Sequence, residues 1–118
     1  MKYGQEVLDE LRPQTRELRH QIPEVYKGFA ALHGAALADG ALDAKTKELI
    51  ALALSVGSQC DGCIASHARG AVRHGATKQE AAEAIGVTLL MGGGPSSIYA
   101  PRAYDAFCEF HDAKHVQA

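Results

Sequence analysis

The chain lacks an excess of charge of either sign and lacks long apolar runs. Its 12 lysine and arginine residues nearly balance its 14 aspartate and glutamate residues, for a formal net charge of -2. A chain without a basic excess has no electrostatic footprint for nucleic acid or for an anionic membrane surface. No apolar run approaches the roughly eighteen residues of a membrane span, and the first residues lack the apolar segment of a signal peptide. We therefore expect a cytoplasmic protein that binds a small, roughly neutral partner.

Cysteine is also scarce, with three residues in the chain. A small secreted protein held together by disulfides would carry an even number of cysteines spread along its length. Here Cys60 and Cys63 lie three positions apart and Cys108 stands alone. In a reducing cytoplasm such a pair is more often catalytic or metal-binding than a permanent cross-link.

Strand-like alternation is nearly absent, whereas helical patterning runs through most of the chain. The length of 118 residues fits one domain over residues 1–118. Six helical segments with short connections predict an all-α fold, a single six-helix bundle. We place the segments at about 7–22, 23–39, 44–56, 60–74, 78–91 and 96–111.

Local signals mark several ends of these helices. Asp43 is the expected N-cap of the third helix, and the Thr77 to Glu80 capping box opens the fifth. Pro13 is expected to start, kink or break the first helix, and Pro101 to disturb the last. The glycines at 92–94 before a proline are expected to form a turn, because they lack the lysine and serine or threonine of a phosphate-binding loop.

The chemistry is concentrated around the cysteine pair. On a helix that advances ~100° per residue, Cys60, Cys63 and His67 lie within about 60° of one another. At the start of the helix, Cys60 is favoured as a thiolate by the free backbone N–H groups. His67 can accept a proton from Cys63, and Glu48 on the preceding helix can hold that histidine.

Two further interpretations of this cluster remain open from the residues alone. A zinc ion bound by Cys60, Cys63, His67 and an outside ligand would make the protein a non-enzymatic, zinc-stabilised interaction module. His74 is an unsuitable fourth ligand, because it lies ~16 Å along the helix axis from Cys63. Alternatively, Glu48 and His67 can serve as the acid and base of a cysteine-independent enzyme.

The pattern also resembles a known family. Glu48 stands twelve positions before Cys60, and three residues separate Cys63 from His67. Together with residues 75–80 and 91–95, this pattern resembles the carboxymuconolactone decarboxylase family, specifically its AhpD-like alkylhydroperoxidase branch. The resemblance covers about residues 25–108. It implies a helical fold that assembles into homotrimers or homohexamers. It also implies a hydroperoxide substrate, a thiol or lipoyl-type reductant and no cofactor in the resting protein.

Carried over by position, the resemblance makes Cys63 the thiol that attacks peroxide and Cys60 the resolving thiol. Glu48 and His67 become a proton relay. The helix-start argument favours Cys60 as the more acidic thiol, so the order of reaction stays open. Gly62 stands where the alkylhydroperoxidase pattern has a further relay histidine. Decarboxylases of the family generally lack the cysteine pair, so the resemblance favours hydroperoxide reduction over acid-base chemistry on a lactone.

Overall fold

A computed structural model describes residues 2–116, which form six α-helices and, within that range, no strand. This confirms the predicted all-α fold with six helices. Among the described residues, no helix combines the length and apolar character needed to cross a bilayer. The helices are α1 Gln5–Gln21, α2 Pro23–Leu37, α3 Ala44–Gly57, α4 Asp61–Arg73, α5 Lys78–Gly92 and α6 Gly94–Val116.

The predicted caps are present at the starts of α3 and α5. The Asp43 carboxylate accepts the backbone N–H of Thr46 at 2.8 Å, and hydrogen bonds from the side chain and the backbone of Thr46 hold the pKa of Asp43 below its usual value. At the start of α5, Thr77 and Glu80 exchange side-chain to backbone hydrogen bonds of 2.9 and 3.0 Å. These bonds satisfy N–H groups that have no partner inside the helix, so they fix where each helix begins.

Two prolines lie inside helices rather than at their ends. Pro13 neither starts nor breaks α1, and α6 runs through Pro101 and begins at Gly94, before the predicted start. Both prolines occupy exposed positions. Water can therefore solvate the carbonyl group four residues earlier, which each proline leaves without an N–H donor. The glycine turn is short, and Gly93, with a φ of 60°, provides the sharp change of direction between α5 and α6.

The hydrophobic core lies between α3, α4, α5 and α6. Its fully buried large side chains are Phe107, Leu52, Ile64 and Val56, and its remaining members are mostly alanines. Alanines let helix axes approach closely, so the cysteine-bearing helix α4 is held firmly between its neighbours. By contrast, α2 contributes no buried residue.

Candidate functional site

The cysteine pair lies at the beginning of α4 and forms a disulfide, with a Cα–Cα distance of 5.2 Å. Cys60 is the N-cap residue rather than the first helical one. Its sulfur accepts the backbone N–H of Cys63 at 3.2 Å. A sulfur held by a helix N-terminus is stabilised as an anion, so this arrangement favours negative charge on Cys60 after reduction.

The two cysteines differ in their access to solvent. Cys63 is exposed, whereas Cys60 is half-buried. A reactant that arrives from solvent therefore meets Cys63 first, although the helix N-terminus stabilises a thiolate at Cys60. Access and helix electrostatics favour different cysteines.

Glu48 and His67 form a hydrogen-bonded pair across α3 and α4. The Nδ1 atom of His67 lies 3.1 Å from Oε2 of Glu48, and Glu48 is only 4% exposed. A carboxylate at such depth requires a polar partner. When Nδ1 donates to the carboxylate, Nε2 of His67 is left as a proton acceptor. The structure thus brings together the two residues that the sequence analysis assigned to proton transfer.

Gly70 makes room for the buried carboxylate. A Cβ atom at this position would lie 2.5 Å from the Glu48 side-chain carbon and closer still to Oε2. The α4 backbone therefore passes directly against Glu48. Gly70 was not among the predicted site residues, although a glycine inside a helix is a signal of close approach because it costs about 1 kcal/mol relative to alanine.

His33 is a further residue near the pair that the sequence analysis missed. Its ring stacks on the ring of His67, with 5.8 Å between centroids and 10° between planes. His33 belongs to α2 and is itself exposed. A single histidine in an apolar helix carries no spacing signal, so only the tertiary structure reveals this neighbour.

The residue between the cysteines is held by α6. Arg102 donates from Nη1 to both carboxylate oxygens of Asp61, at 3.0 and 3.2 Å. Its guanidinium carbon lies 4.0 Å from the ring centroid of Tyr3 and 4.5 Å from that of Tyr99. The hydrogen bond to Asp61 and the carboxylate charge raise the pKa of Arg102. Arg102 thus connects the start of α4 to α6 and to the two tyrosines.

Gly62 is covered by α1. A Cβ atom there would lie 2.8 Å from Cδ1 of Leu11. This is the position at which the resemblance places a further histidine. A larger side chain would have to displace Leu11, so the packing of α1 on α4 is adapted to glycine at this position.

Metal ligation has little support from the donor set. Across residues 2–116, no group of three or more histidine, cysteine, aspartate or glutamate side chains is arranged to hold a metal ion. The ring of His74 lies 2.9 Å from the carbonyl oxygen of Gly70 in its own helix. Cys108, the third cysteine, is half-buried on α6 and is a free thiol.

Solved structures share this fold. The apo-lpg0406 protein of Legionella pneumophila, a carboxymuconolactone decarboxylase family protein, superposes with a TM-score of 0.84 at 48% identity, over 87% of this chain and 92% of that one. TM1620 of Thermotoga maritima gives a TM-score of 0.80 at 30% identity, over 92% of this chain and 95% of that one. A second structure of TM1620 is described with a suggested part in the antioxidative response.

Curated relatives and a family model agree with these structures. The uncharacterized protein H16_B0147 of Cupriavidus necator is 40% identical over 100 residues, which are 85% of this chain and 88% of the relative. Uncharacterized protein 4 in the cox locus of Paracoccus denitrificans is 42% identical over 85 residues, 72% and 77% of the two chains. The carboxymuconolactone decarboxylase family model matches residues 23–112. The chain belongs to the carboxymuconolactone decarboxylase family.

Proposed function

We propose that this protein is a dithiol peroxidase of the alkylhydroperoxidase type, which reduces organic hydroperoxides or hydrogen peroxide. The observation that carries the proposal is the Cys60–Cys63 disulfide at a helix N-terminus. His67 of the same helix is hydrogen-bonded to the buried carboxylate of Glu48 on α3. Together they supply a redox couple and a route for protons.

In the oxidative half of the cycle, a thiolate attacks the distal oxygen of the peroxide. An S–O bond forms, the O–O bond breaks, and the alcohol or water leaves with a proton. The resulting sulfenic acid condenses with the second thiol, which releases water and forms the disulfide. The peroxide is reduced by two electrons, and the cysteine pair is oxidised by two.

Solvent access favours Cys63 as the thiol that meets the peroxide, and the family resemblance assigns it the same role. Cys60 then acts as the resolving thiol. In the reductive half, an external thiol or a lipoyl-type dithiol attacks the sulfur of Cys63, the more exposed residue of the pair. Cys60 leaves as a thiolate, which the N–H of Cys63 stabilises.

His67 moves the proton, and Glu48 is its positioning residue. Glu48 fixes the ring through Nδ1, so that Nε2 can take a proton from a reacting thiol and return it to the leaving oxygen. Glu48 is buried at the α3–α4 junction, which restricts the movement of the carboxylate that holds the ring.

We also propose that the chain works as a homo-oligomer, a trimer or hexamer. Val25, Phe29 and Leu32 of α2 are 64%, 63% and 64% exposed. An apolar groove of about 680 Å³ lies between α3 and α5, with Leu54 and Met91 among its lining residues. Both surfaces are apolar, so the exposed face of α2 from a second copy is suited to pack in this groove.

The surface area supports this assembly. The chain exposes 7238 Å², whereas a compact monomer of 12.5 kDa exposes about 6,200 Å². The surplus, about 1,000 Å² by that scaling, is close to the ~800 Å² that each partner buries in a typical specific interface.

Turnover measurements test the peroxidase directly. Hydroperoxide consumption is followed with a dithiol reductant in excess, for the parent, Cys60→Ser, Cys63→Ser and the control Cys108→Ser. We expect either substitution in the pair to reduce turnover by at least about a thousandfold, and Cys108→Ser to keep it. Parent-level consumption in both pair variants would refute the proposal.

The acid-base alternative makes the opposite prediction. The pair of buried Glu48 and half-buried His67 would also suit proton transfer on a lactone or a related acid. Such an activity would survive complete alkylation of the thiols, whereas the dithiol peroxidase loses turnover under the same treatment.

A further inference from the structure

Arg102 and Asp61 form an ion pair beside the cysteine pair that the reaction scheme above does not use. Asp61 lies between Cys60 and Cys63 in the chain, and its carboxylate is bound at both oxygens by Arg102. We propose that Arg102 is a positioning residue that sets the redox equilibrium of the pair by neutralising Asp61. This inference rests on the proposed thiol-disulfide cycle.

Reduction of the disulfide places a thiolate at the start of α4, where Asp61 already carries a negative charge. Asp61 follows Cys60 directly in the chain, and like charges on adjacent residues repel, more strongly at a partly buried site than in water. Left alone, Asp61 would therefore oppose the reduced state. The positive charge of Arg102 cancels this effect.

The structure holds that positive charge in place. The Arg102 side chain is 22% exposed and that of Asp61 is 38% exposed, so solvent screens the pair only in part. Tyr3 and Tyr99 lie against the guanidinium at 4.0 and 4.5 Å. A planar guanidinium can stack on rings and bind a carboxylate at the same time, which an ammonium group does less well.

The consequence is a shift in a balanced reaction. Two glutathione thiols reduce the protein disulfide to a dithiol and become oxidised glutathione, with two electrons transferred. Because Arg102 favours the thiolate, Arg102→Gln shifts this equilibrium toward the disulfide. Because Asp61 opposes the thiolate, Asp61→Asn shifts it toward the dithiol.

The experiment measures the equilibrium constant in glutathione redox buffers, with Cys108→Ser in every variant so that only the pair is counted. Reduced thiols are alkylated and the fraction is read by mass spectrometry. We expect shifts of about threefold or more in opposite directions for Arg102→Gln and Asp61→Asn. The double variant should return close to the parent.

The control is Lys78→Gln, which removes the ion pair between Lys78 of α5 and Asp112 of α6. Asp112 lies ten residues after Arg102 on α6. It should leave the equilibrium unchanged, and urea unfolding confirms that each variant is folded. Parent-like constants for Arg102→Gln and Asp61→Asn, or shifts of the same sign, would overturn the inference while the dithiol function stands. Failure of the parent pair to exchange both with glutathione and with a lipoyl-type dithiol would instead overturn the proposed function.

Discussion

Helices α2 and α4 are of similar length, 15 and 13 residues, and both are rich in alanine and glycine. They nevertheless differ in how far they are buried. The more apolar α2 buries none of its residues, whereas α4 buries Ile64, Ala65, Ala68, Ala71 and Val72. Apolar content alone therefore does not place a helix in the core. The small side chains of α4 allow neighbouring helices to pack closely against it. The large apolar side chains of α2 stay exposed on the single chain.

The difference also separates two parts of the proposed site. The disulfide, His67 and Gly70 belong to α4, so their positions are set by the core of the chain itself. His33 belongs to α2, whose outer face would be covered only in an assembly. We therefore expect changes on the α4 side to affect chemistry and folding, and changes on the α2 side to affect association.

The largest effect within the α4 region, apart from loss of the cysteines, is expected from Glu48→Gln. This change keeps the shape of the side chain but removes the charge that orients His67. Turnover should fall by about a hundredfold, as for the loss of a positioned proton-transfer group. Steady-state hydroperoxide consumption measures it. Glu83→Gln, on the exposed surface of α5, is the control, and equal activities in the two variants would contradict the relay.

On the α2 side, Leu32→Glu should break the assembly. The side chain is 64% exposed in the single chain, so a charge there costs the monomer little but is unfavourable in an apolar interface. We expect at least about a tenfold loss of association, measured by sedimentation. Lys27→Glu, also on α2, is the control. An unchanged oligomer in Leu32→Glu would show that this face is not the interface.

Paired glycine substitutions compare the two helices directly. In Gly70→Ala the new Cβ atom collides with Glu48, so unfolding free energy should fall by about 1–3 kcal/mol. In Gly34→Ala of α2 the new atom meets nothing within 4 Å, so stability should rise by up to about 1 kcal/mol. Urea denaturation measures both values. Equal changes at the two positions would remove the distinction between the helices.

The smallest effect is expected at His33. Removing the ring in His33→Ala leaves one face of His67 open to water, and turnover should fall by about two- to fivefold, as for the loss of one aromatic contact. His33→Phe keeps a planar ring and should retain most activity. A loss in the phenylalanine variant as large as in the alanine variant would show that the imidazole nitrogens of His33, rather than its stacking, are required.

Much of the fold could be predicted because its signals are local. The caps at Asp43 and Thr77 and the glycine turn before Pro95 act within a few residues, and each lies where a helix begins or ends. Two of the expected effects of Pro13, to start or to break its helix, did not occur, and the reason is tertiary. Whether a helix accepts a proline depends on which face meets water, and the sequence alone does not show that.

The site divides in the same way. Helical spacing was enough to place Cys63 and His67 on one helix with Cys60 at its start, because those positions lie within two turns. The partners contributed by other helices were not predictable from spacing. Arg102 is 41 positions from Asp61, and His33 and Gly70 reach the site only through helix packing.

The most direct test of the dithiol mechanism is a count of free thiols on Cys108→Ser protein, fully reduced and then given one equivalent of hydroperoxide. We expect two thiols per chain to be lost together, one equivalent of alcohol to appear, and a dithiol reductant to restore both thiols. With Cys63→Ser added, the remaining thiol of Cys60 should react far more slowly. Two thiols per chain still free after the hydroperoxide is consumed would contradict the mechanism.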